Sequence, residues 1–177
     1  MAVGEVRPGY ELWRPNREKS ESVTTKYIVV LLLLASAVVA AIVTIAGFSL
    51  LEGGIGMGIG CVIYVLLYVL FAFLVARWSR GILPVAAALA ILLLIFAAVA
   101  APSWFSRDKE GFDEALLPVE LIGLLVIILI PLQILLIAVA MIGFNQEWHV
   151  EEERPIGDSE DYGAGAPPPD ERGVQPA

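Results

Sequence analysis

Polar and apolar residues along this chain come in long blocks, without the short alternation of a soluble fold. Four uncharged runs, at 27–51, 53–76, 81–101 and 121–144, are each 21 to 25 residues long and together make up just over half of the chain. A helix needs about 20 apolar residues to cross a hydrocarbon core of about 30 Å. A helix that is apolar all round has no soluble solution short of deep burial. The pattern therefore predicts an all-α integral membrane protein. Four transmembrane helices form two antiparallel hairpins, preceded by a polar arm (1–26) and followed by a disordered acidic tail (145–177). An external loop (102–120) joins the third and fourth spans.

The connections sharpen this picture. Spans 1 and 2 are separated only by Leu51, Glu52, Gly53 and Gly54, so they must be antiparallel neighbours. The glycines continue into span 2, where Gly56, Gly60, Tyr64 and Tyr68 recur at i, i+4. Span 1 offers Ser36, Ala40, Thr44 and Gly47. Small residues four apart let helices approach closely in lipid. The two rows are therefore expected to face each other as the helix-packing seam, with the tyrosine hydroxyls finding partners on span 1. The turn between spans 2 and 3 is Arg77-Trp78-Ser79-Arg80, basic and aromatic as an inner membrane edge should be. From Asn145 the composition turns acidic and rich in Gly and Pro, which predicts disorder.

The chain has 177 residues, 58% hydrophobic and 17% charged, with a formal net charge of −8. Soluble domains carry about 25% charged residues. This balance excludes a soluble enzyme and a disulfide scaffold, and the lack of a basic patch excludes nucleic acid as a partner. With the N-terminus inside, nine Lys and Arg lie on the inner side and two on the outer. The positive-inside rule then places both termini in the cytoplasm. The first run is too long, and its flank too acidic, for a cleaved signal peptide. Usage of Ala, Gly, Val, Pro and Arg suggests a bacterial inner membrane.

Candidate chemistry is sparse. Cys61 is the single cysteine and His149 the single histidine, so a CxxC redox pair, bis-histidine haem and a His/Cys zinc site are all excluded. The acids around Gly111 do not match a calcium loop. No catalytic residue, cofactor site or metal site is expected. The one sharp intramembrane feature is in span 4. Pro131 should bend the helix and free the carbonyl of Ile127, and Gln133 places an amide near mid-membrane. At about 100° per residue, Gln133 points about 200° away from Pro131, toward a neighbouring helix. Span 3 has no polar side chain to offer, which leaves Ser36 or Thr44 on span 1, Tyr64 or Tyr68 on span 2, a backbone carbonyl, or a second protomer. Transport sites are usually marked by ionisable groups inside the membrane, and the middle of every span lacks them. The expectation is a non-enzymatic accessory, assembly or scaffold component that meets the bilayer and a membrane-protein partner or a second copy. The alternative is a small transporter or channel subunit with a polar site near Gln133.

Overall fold

A computed structural model describes residues 10–51, 54–106 and 115–155, and these are about 79% helical. The chain divides into two compact units. The larger, Arg14–Val150, holds a one-turn helix α1 (Pro15–Glu18) and the long helices α2 (Ser20–Ala46), α3 (Gly54–Ala76), α4 (Ile82–Trp104) and α5 (Val119–Asn145). Each long helix is long and apolar enough to cross a membrane. Within this unit α4 packs along α5, and α2 packs against both α3 and α5, while α3 and α4 touch far less.

The helix ends differ from the hydrophobic runs for local reasons. Helix α2 begins at Ser20, well before Tyr27, because Ser22 and Thr25 are buried among neighbouring elements and do not trail in water. It stops at Ala46 because Gly47 caps it and Phe48–Leu50 tightens into a 3-10 turn. Pro102 is accommodated in the last turn of α4, which extends to Trp104. Ahead of α5, the Leu116 amide donates to the Ala46 carbonyl at 3.0 Å, tying the approach to α5 onto the end of α2. The turn residues Glu52 and Gly53, the acidic stretch 107–114 and the tail beyond Pro155 lie outside the described residues.

Two apolar clusters fill the bundle. One gathers Leu33, Tyr68, Val75, Leu83, Leu136 and Trp148 from all four long helices and the segment after α5. The other joins Ala46, Leu50, Ala97, Trp104, Ile122 and Val126, with no α3 residue among its buried members. Large exposed side chains such as Leu31, Phe96 and Val99 cover the outer faces of the helices. Such faces suit a chain whose solvent is lipid, where packing and polar contacts, not water exclusion, hold helices together.

The smaller unit comprises the two ends of the described chain. Strand β1 (Tyr10–Trp13) pairs antiparallel with β2 (Glu152–Pro155), Tyr10 opposite Pro155 and Trp13 opposite Glu152. Glu11 faces Arg154 across the ladder, and the Arg154 guanidinium stands 5.6 Å from the centre of the Trp13 ring. The disorder expected from Asn145 onward therefore does not hold for the first part of that segment. Trp148 is fully buried in the larger unit, and Glu152–Pro155 is a strand.

Candidate functional site

Gln133 is 0% exposed, held between α5, α2 and α3. The Tyr68 hydroxyl donates to its Oε1 at 2.8 Å, and its Nε2 donates to the Ser36 hydroxyl oxygen at 3.0 Å. Ser36 and Tyr68 are themselves buried. In hydrocarbon, an amide without partners costs several kcal/mol, and this placement supplies a partner to each end. Pro131 and Ile127 lie on the outward face of α5, opposite Gln133, and α5 is helical on both sides of the proline. The polar group and the ladder defect are thus separated around the helix.

The rest of the expected seam is only partly assembled. The Tyr64 hydroxyl donates to the Leu89 carbonyl on α4, not to span 1, and the Tyr64 ring lies 5.3 Å from that of Tyr68. Thr44 is buried, but its hydroxyl donates to the Ala40 carbonyl of its own helix at 2.7 Å. Ala40 is half-buried. Gly47 is closely covered by the Trp104 ring of α4, so its smallness serves α4 and not α3. Gly56 and Gly60 are exposed, and a Cβ on either would meet nothing within 4 Å.

Placing Gly56 and Gly60 in the seam is therefore incorrect, for a geometric reason. Each i+4 step advances about 400° around a helix of about 3.6 residues per turn. The row drifts about 40° per step, so three steps from Tyr68 bring Gly56 about 120° off the buried face. Gly58 is the buried glycine of this half, against the Phe48 ring.

Sequence reasoning missed the organisation of the basic end. Helix α3 closes with the Trp78 amide donating to the Val75 carbonyl at 2.8 Å and the Ser79 amide to the Leu74 carbonyl at 3.1 Å. This is a Schellman end, which needs a left-handed residue and usually takes glycine. Trp78 occupies it at φ 65°. Its ring is held edge-on to Trp148 at 5.2 Å, with the Lys26 ammonium 4.2 Å and the Arg17 guanidinium 5.8 Å from its centre.

After α5, Glu147 is also left-handed, at φ 50°, and turns the chain back so that Trp148 enters the bundle. Trp148 Nε1 donates to Gln146 Oε1 at 3.0 Å, and Gln146 Nε2 donates to the Thr25 hydroxyl oxygen at 2.9 Å. Arg17 Nε donates to the Trp148 carbonyl at 3.0 Å, and Asn16 Nδ2 to the Glu147 carbonyl at 3.2 Å. Arg80 Nε donates to the Phe144 carbonyl at 2.8 Å, while its NH1 lies 2.9 Å from His149 Nδ1. A cation on the last carbonyls of α5 satisfies groups the helix leaves unpaired and opposes its dipole. No sequence signal marks Trp78 as left-handed. The polar pair Thr25 and Gln146, each just outside an apolar run, was the visible hint of a buried end.

Chemically, the Ser36–Gln133–Tyr68 chain links neutral groups by hydrogen bonds, and among the described residues the serine meets no base that would activate it. Among the described residues, no group of three His, Cys, Asp or Glu is placed to hold a metal. No protein-family model matches the chain, and no curated protein or solved structure shows significant similarity to it.

Proposed function

We propose that this chain is a non-enzymatic four-span membrane protein that acts by contact, as an accessory, assembly or scaffold component of a membrane complex. Its spans form two antiparallel hairpins, α2 with α3 and α4 with α5. Both termini are cytoplasmic, in a membrane that composition suggests is a bacterial inner membrane.

The observation that carries this reading is the closure of Gln133. The polar side chain that a transporter would turn toward substrate is instead fully buried, its oxygen and nitrogen engaged by Tyr68 and Ser36. Intramembrane sites that move solutes rely on groups reachable from a water-filled path. The outward-facing Gly56 and Gly60 are consistent with a partner helix, since small residues let backbones approach.

Purified full chain in mild detergent, cross-linked and sized by light scattering, tests the proposal together with solute flux in reconstituted vesicles. A stoichiometric membrane-protein complex or a second copy, with no flux, is expected. A monomer that conducts a solute, and loses that flux in a stably folded Gln133→Leu variant, would replace this reading with the transporter.

A further inference from the structure

Three basic segments distant in sequence meet at one end of the bundle: α1 with the start of α2, the Arg77–Arg80 turn, and the segment after α5. Their cations are used differently. Arg17 and Arg80 are spent inside the protein, on the carbonyls of Trp148 and Phe144. Lys26 and Arg77 are not. Lys26 holds its ammonium 4.2 Å from the Trp78 ring and 4.8 Å from the Tyr27 ring, and Arg77 holds its guanidinium 5.0 Å from the Phe73 ring. Among the described residues, no carboxylate pairs with either. Two positive heads therefore stand on neighbouring, packed helices, each steadied by an aromatic face and neither paired with a carboxylate among the described residues.

The surfaces below them define the occupant. Tyr27 is 63% exposed and Phe73 55% exposed, and further along the same helices Leu31 and Leu70 also face outward. An occupant that fits must present an anionic head to Lys26 and Arg77 and apolar chains to α2 and α3. A free phosphate satisfies only the first demand.

We infer that the α2–α3 edge at the basic end is a binding site for an anionic phospholipid, whose phosphate lies between Lys26 and Arg77 and whose acyl chains run along Tyr27 and Phe73. The aromatic rings keep the two cations in place before the lipid arrives, so little side-chain freedom is lost on binding. The inference rests on the membrane-spanning reading of the four helices and is independent of the accessory role.

Native mass spectrometry of the full chain in dodecyl maltoside, titrated with phosphatidylglycerol or phosphatidylcholine, tests it. Phosphatidylglycerol should be retained at least about tenfold more tightly, since each basic residue near an anionic headgroup is worth about a fivefold change in binding. Lys26→Gln and Arg77→Gln should each weaken retention about fivefold. Lys26→Arg and Arg77→Lys, which keep charge and fold, should retain it. Lys19→Gln, at the exposed residue just before α2, should change nothing, which separates a site from diffuse attraction. Three results would each overturn the inference: equal retention of both lipids, a Lys26→Gln/Arg77→Gln double variant that binds like the parent, or a Lys19→Gln loss as large as the others. Displacement of the lipid by millimolar inorganic phosphate would do the same, reassigning the cations to a free anion.

Discussion

Replacing Gln133 with Leu tests how the centre of the bundle is held. The substitution removes two hydrogen bonds, from Tyr68 at 2.8 Å and to Ser36 at 3.0 Å. Side-chain hydrogen bonds between membrane helices average about 0.6 kcal/mol and reach about 1.7 kcal/mol, so the pair contributes about 1 to 3 kcal/mol. Leucine has a similar volume and adds apolar contact in a dry site, which keeps the expected net loss under about 2 kcal/mol. Tyr68→Phe removes only one of these bonds but strands the amide oxygen at full burial, for about 1–3 kcal/mol.

Once Gln133 is Leu, Tyr68→Phe strands nothing. The double variant should therefore lose less than the sum of the singles, by about 0.6–1.7 kcal/mol. Thr44→Val is the control, since that hydroxyl serves its own helix, and it should add independently to Gln133→Leu. Reversible unfolding in mixed micelles, followed by far-ultraviolet circular dichroism, reads all four corners of the cycle. Additivity of Gln133→Leu and Tyr68→Phe within about 0.3 kcal/mol would refute the network.

The glycine placement makes opposite predictions for two sites: Gly47→Ala should cost about 1–3 kcal/mol through overpacking against Trp104, whereas Gly60→Ala should stay within about 0.5 kcal/mol of the parent; equal melting shifts would contradict the geometry. At Trp78, Ala and Gly lose the same ring, but Ala retains a Cβ in the left-handed region, so Trp78→Ala should be less stable than Trp78→Gly by about 1 kcal/mol, and the reverse order in the same assay would exclude the strained end. Alkaline phosphatase fused at Asp113 should be active and fused after Glu153 inactive, following the bias of basic residues; the opposite pattern would invert the orientation.

The four spans were legible because hydrocarbon thickness dictates their length, and that constraint acts on composition alone. Gln133 was legible for a related reason. A polar side chain in the middle of an apolar helix must find a partner, and only a handful were on offer, Ser36 and Tyr68 among them. The seam was less legible, because a run of glycines shows where helices are able to approach but not which neighbour they face. Gly47 approaches Trp104, Gly58 approaches Phe48, and a Cβ on Gly56 or Gly60 would meet nothing within 4 Å among the described residues. Tyr64 escaped for another reason. Its partner is the carbonyl of Leu89, and every residue carries a carbonyl, so side-chain identity cannot single it out. The basic end was hidden more deeply still, since Trp78 adopts a conformation that its residue type disfavours, held by the Schellman hydrogen bonds and by the surrounding ring contacts.

These contacts are distributed unevenly along the bundle, and that asymmetry bears on function. At the basic end, α2, the α3–α4 turn and the segment after α5 are tied by Trp148, Gln146, Arg17 and Arg80 through hydrogen bonds at 2.8 to 3.0 Å. At the far end, the buried cluster draws on α2, α4 and α5 but takes no residue from α3. The first half of α3 thus has Gly56 and Gly60 outward and Gly58 against the Phe48 ring, while its second half is fixed by Tyr64, Tyr68 and the strained Trp78 end. A helix anchored at one end and sparsely packed at the other is the element on which a neighbouring helix can gain contact without breaking any the fold already has. For a protein proposed to work by contact, the start of α3 is therefore the surface to vary first. If the proposal of action by contact holds, substitutions there should change what the protein assembles with, and those around Gln133 or Trp78 should change how stable the fold is.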